Sequence, residues 1–150
     1  MKPVNGTAKI DCVYTSTIYH IDKPFTVFGR KVTTFPDGIG EAFTDLSHNV
    51  SNGSTRDYYG ISYCENNEIQ YFVTTSEIFE GEAQRLDSTV FEIDTGNYLA
   101  VTLKEWQTKT DSIKNIFHEM MQDHRIDLGK PCIEWYKSED EMICLIKLSE

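Results

Sequence analysis

The segment Pro131-Cys132-Ile133-Glu134-Trp135-Tyr136 sets one carboxylate among apolar and aromatic neighbours in a run with strand character. Successive side chains of a strand point to opposite faces, so Cys132, Glu134 and Tyr136 share one face and Ile133 and Trp135 the other. If Ile133 and Trp135 pack on a helix, Glu134 faces away from it. A carboxylate on a largely apolar concave face is costly to desolvate unless something partners it, and a ligand cation is one such partner. The alternative is an ordinary solvated glutamate on an exposed sheet face.

Other chemistry finds less support. His118 and His124 fall on a predicted helix, six residues apart and on different faces, so they do not form an i, i+4 metal pair. His48 lies near the end of an earlier helix and His20 in an early strand, and none of the four stands beside a nucleophile motif. Cys12, Cys64, Cys132 and Cys144 show no C-x-x-C spacing, which argues against zinc and for reduced thiols in a cytoplasmic protein. Neither a metal nor a cofactor is expected.

The elements that would position Glu134 form a repeat. In the first half, a strand over Phe25-Thr26-Val27-Phe28-Gly29-Arg30-Lys31-Val32 precedes a helix with Ile39, Ala42, Phe43 and Leu46 on one stripe. A hairpin follows, Tyr58 to Tyr63 and Ile69 to Val73, joined by Cys64-Glu65-Asn66-Asn67-Glu68. The second half has the strand Tyr98 to Leu103 and a helix striped by Ile113, Ile116, Phe117 and Met120, with Thr108 or Thr110 as N-cap and Asp111 in its first turn. Cys132 to Tyr136, a turn at Ser138-Glu139-Asp140 and Met142 to Leu148 close it. Each half is strand, helix, hairpin, and each leaves one apolar sheet face to bury. The two are therefore expected to join as one domain, with modules over about 15–76 and 89–150 and a solvated connection over 77–88. Aligning the hairpins sets Ile61 in the place of Glu134, with Tyr59 and Tyr63 beside it.

The run Phe91-Glu92-Ile93-Asp94-Thr95-Gly96-Asn97-Tyr98-Leu99-Ala100-Val101-Thr102, the helix after it, the spacing of Pro131, Glu134 and Tyr136, and the apolar last strand together resemble the GyrI-like effector-binding domain. That family includes the ligand-sensing halves of some AraC-type and MerR-type multidrug regulators as well as stand-alone proteins. The resemblance covers the chain after about its first fifteen residues. One departure is Asp94-Thr95-Gly96, where the family more often has a proline before its glycine turn. The resemblance implies an α+β fold: two strand-helix-strand-strand modules about a pseudo-twofold axis, helices on one face of an antiparallel sheet, and a ligand groove on the other. It also implies a glutamate at the position of Glu134 that meets cationic or polarised ligands near aromatic side chains.

Tyr59, Tyr63 and Tyr136, with Ile61 as an apolar wall and Trp106 at the rim, are the residues expected around Glu134 in that groove. Tyr58, Phe72 and Trp135, on the opposite parity, are expected in the core. As a binder, such a groove would hold a flat amphipathic ligand between aromatic walls and set its positive group on Glu134. As an enzyme, it would use Glu134 as a general base on water, with Tyr136 or Tyr63 donating a proton; the resemblance points to cyclopropane opening in DNA-alkylating natural products. A third class is an acidic protein-interaction module, similar to gyrase-inhibiting relatives. The charge of -10, from 14 Lys plus Arg against 24 Asp plus Glu, argues against nucleic acid as a direct partner. No apolar run approaches the ~20 residues that span a bilayer. Met1-Lys2-Pro3-Val4-Asn5-Gly6 reads as polar and turn-like, with no h-region.

Overall fold

The computed structural model describes residues 14–149; Met1 to Gly6 and Cys12 lie outside them. Among the described residues there are eight strands and three α-helices: β1 (Ser16–Ile21), β2 (Phe25–Lys31), α1 (Ile39–Asn49), β3 (Tyr58–Glu65), β4 (Glu68–Ser76), α2 (Glu82–Arg85), β5 (Thr89–Ile93), β6 (Gly96–Lys104), α3 (Thr110–Met120), β7 (Cys132–Tyr136) and β8 (Glu141–Lys147). All pair antiparallel in one sheet of order β1-β6-β8-β7-β3-β4-β2-β5. The β3–β4 turn needs only Asn66 and Asn67, both at positive φ, the backbone twist that a two-residue hairpin requires. His124 lies beyond the end of α3, which stops at Met120.

The expected modules are present, each with one strand more than the sequence pattern showed. Those extra strands are exchanged. β1 precedes β2 in the chain but pairs with β6 of the second module, and β5 precedes β6 but pairs with β2 of the first. The connections that achieve this are short, residues 22–24 and 94–95, although they join strands near opposite ends of the sheet. The sheet must therefore curl. Tyr19 of β1 touches Trp135 of β7 at 5.9 Å between ring centroids, where a flat sheet would hold strands three places apart at ~14 Å.

Both main helices cover the same face. Ile39, Ala42, Phe43 and Leu46 of α1 pack with Phe28, Tyr71 and Val73, and Ile113, Ile116, Phe117 and Met120 of α3 pack with Leu99, Val101, Met142, Cys144 and Ile146. On the opposite, concave face the strands fill the space with their own side chains, among them Val27, Ile61, Phe72, Tyr98, Ile133 and Leu145.

Candidate functional site

Strand parity holds as read, but its consequence is reversed. In β7, Ile133 and Trp135 join the concave core, while Cys132 and Tyr136 pack on the α3 cluster. Glu134 therefore lies on the helix face, at the seam of the two modules. The expectation that it faces away from the helices is corrected, because curling gives Ile133 and Trp135 a core that needs no helix.

The buried Glu134 carboxylate is held by two phenols from different modules. Tyr71 of β4 and Tyr136 of β7 each donate to Oε1 at 2.5 Å, and their own oxygens stand 3.4 Å apart. Aromatic rings pack on the two phenols. Phe35 stacks on Tyr71 at 5.0 Å between centroids, and Phe43 and Trp106 meet Tyr136 edge-on at 5.1 and 4.9 Å. Trp106 is fixed in turn by its indole N–H, which donates to the Ser138 carbonyl at 2.9 Å.

Burial pushes the Glu134 carboxyl above its ordinary range, opposed by the hydrogen bonds from Tyr136 and Tyr71, which favour the charged form. The same burial, reinforced by the negative charge of Glu134, pushes both phenols far up, so they remain neutral donors. Cys132 is pushed up to about 11 and Cys144 well above the usual thiol range, by burial first and the glutamate second, which leaves both as unreactive thiols. None of the ion pairs among the described residues involves Glu134.

The structure brings Glu134, Tyr136 and Trp106 together and separates them from Tyr59, Ile61 and Tyr63. In the β3–β7 ladder Gly60 faces Glu134, Tyr59 faces Trp135 and Ile61 faces Ile133. Tyr59, Ile61 and Tyr63 thus belong to the concave face, where Tyr59 stacks on Trp135 and Tyr63 on Phe72. Aligning Ile61 with Glu134 offsets the halves by an odd number of residues, and an odd offset in a strand exchanges faces. Tyr58, expected in the core away from the site, shares the face of Glu134 and meets Phe43 at 6.0 Å. Tyr71, Phe35 and Phe43 are site residues that sequence reasoning missed. Phe43 gave a signal as part of the α1 stripe, but packing alone accounted for it.

No family model matches the chain, and no curated protein matches it in sequence. Solved structures match in shape. An integron cassette protein from the mobile metagenome of Vibrio cholerae superposes with a TM-score of 0.63 at 16% identity, over 91% of this chain and 97% of that one. SAV2435, solved bound to tetraphenylphosphonium, gives 0.60 at 12% identity over 90% and 94%. The C-terminal domain of EcmrR gives 0.58 at 14% identity over 92% and 98%. The chain shares the fold of these structures, the α+β fold that the resemblance to GyrI-like domains implies. Among the described residues no helix is long and apolar enough to cross a membrane.

Proposed function

We propose that this protein binds amphipathic aromatic or cationic small molecules at Glu134, on the helix face between the two modules. The observation that carries the reading is a buried carboxylate with two neutral phenol donors, a wall of aromatic rings and no ion pair among the described residues. A lipophilic cation entering there would supply the missing charge, and each ring face it met would add ~0.5 to 2 kcal/mol. SAV2435, of the same fold, was solved with a cation of that class. Tyr59, Ile61 and Tyr63 take no part in this reading, because they face the concave side. The protein acts in a reducing cytoplasm, with its thiols free, and by itself leaves duplex DNA unbound.

The test is calorimetric titration with tetraphenylphosphonium. Glu134→Gln should weaken binding at least about tenfold, as expected for loss of a desolvated charge partner, while Glu139→Gln, in the exposed β7–β8 loop, should bind as the parent does. Equal behaviour of the two variants would overturn the assignment.

Hydrolytic opening of a strained ring is a second reading, favoured by one observation: a base and two neutral acids meet at a single oxygen. Glu134 would take a proton from water as its oxygen attacks the ring carbon, and Tyr136 would donate to the departing atom. Product analysis with a cyclopropane-bearing alkylating agent separates the readings, since hydrolysis requires turnover that Glu134→Gln abolishes.

A further inference from the structure

Glu134 meets Tyr71 because a side chain is missing between them. Gly60 lies directly across the β3–β7 ladder from Glu134. A Cβ built on it would stand 2.2 Å from the Tyr71 hydroxyl, 2.8 Å from Tyr71 Cζ and 2.6 Å from Glu134 Oε1, all closer than real Cβ atoms approach. Gly60 is paired on both sides in regular ladders and its φ is not in the left-handed region, so the backbone there accepts any residue. Glycine inside a strand is otherwise unfavourable, and a close approach is one of the few reasons to find it there. Its neighbours on the same face, Tyr58 and Ser62, both carry side chains.

The geometry points to Gly60 as the positioning residue of this site: the space above its Cα admits the Tyr71 phenol, so that Glu134 meets an incoming ligand already bound by Tyr71 rather than bare. The inference rests on Glu134 as the ligand-facing carboxylate. It adds to that reading a residue that touches no ligand and yet sets the state of the carboxylate. Tyr58 comes from β3, Tyr71 from β4, Tyr136 and Cys132 from β7 and Cys144 from β8; among the described residues these are the titratable groups that the sheet sets beside Glu134, and all are neutral. Phe35, Phe43 and Trp106, which close the cluster, do not titrate.

A methyl group at position 60 displaces the phenol, and Glu134 loses one of the two hydrogen bonds that favour its charged form. The readout needs no ligand: the midpoint of the Glu134 carboxyl resonance in a carbon-13 pH titration of the full chain. Gly60→Ala and Tyr71→Phe should each raise that midpoint by about one pH unit, the size expected for one hydrogen bond to a charged group. The double variant should shift no further than either alone, because both changes remove the same bond. Loss of packing alone would lower stability and leave the midpoint in place. An unmoved midpoint in folded Gly60→Ala overturns the inference, and if that variant fails to fold, an unmoved midpoint in Tyr71→Phe does so. Shifted midpoints in a protein that does not bind tetraphenylphosphonium would support the positioning role and remove the ligand reading.

Discussion

Arg56 and Glu82 form an ion pair whose side chains are 1% and 4% exposed, although Glu82 stands in the acidic segment that reads as a solvated connection. The guanidinium spans the carboxylate with both terminal nitrogens and also donates to the carbonyls of Ser76 at 3.1 Å and Ser51 at 2.7 Å. Glu82 accepts the Ile78 amide in addition, at 3.1 Å. The pair ties the connection between modules to the first module.

Removing one partner leaves the other charge buried. Glu82→Ala is therefore expected to destabilise the fold by about 3 to 5 kcal/mol, and a paired replacement of Arg56 and Glu82 by apolar residues of similar volume by much less. Urea denaturation of the single and double variants measures the difference.

Stability should depend on pH through Glu134. Its carboxyl titrates higher in the folded chain than in the unfolded one, so the folded state binds the extra proton between the two midpoints. The stabilisation is complete below the unfolded carboxylate range and is lost as pH rises through the folded midpoint. Glu134→Gln should remove this slope and match or exceed the parent in stability at neutral pH. Chemical denaturation across a pH series would show an unchanged slope if the carboxylate is in fact well solvated.

Thiol labelling should discriminate sharply among the cysteines. Cys64 is exposed, whereas Cys132 is half-buried and Cys144 buried, and both are held protonated. In a Cys12→Ser background one thiol should react rapidly with a chromogenic disulfide, and the other two only on unfolding. Prompt reaction of all three would show that the seam between the modules opens readily.

A chain ending near Asp87 should fail to fold. It would keep β1 without β6, β2 without β5 and β3 without β7, leaving three strands with open edges where the full chain has ladders. A dispersed amide spectrum from that fragment would show the first module to be independent of the second.

The α1 and α3 stripes, both hairpins and the parity of Cys132, Glu134 and Tyr136 are legible in the sequence, because each is a local periodicity. Which face Glu134 occupies is not. That depends on curvature set by the connections 22–24 and 94–95, and strands apolar on both faces, such as Gln70-Tyr71-Phe72-Val73 in β4, do not reveal which side meets a helix. Tyr71 was hidden for this reason. Gly60 reads as a weak point in a strand until the phenol lying over it is known. Glu82 looks solvated by composition, since the arginine that buries it stands twenty-six residues earlier.

The placement of β1 also determines how the sheet would respond to tension. β1 and β8 lie on either side of β6 and run parallel to each other, with Ser16 level with Val101 and Lys147 level with Tyr98. Force applied between Ser16 and Lys147, three residues apart along β6 and two strands apart across it, runs diagonally, so it loads the β1–β6 and β6–β8 ladders only partly in shear. The component along the strands is shared by the hydrogen bonds of both ladders, and the seam at Glu134, one strand beyond β8, stands outside the loaded group.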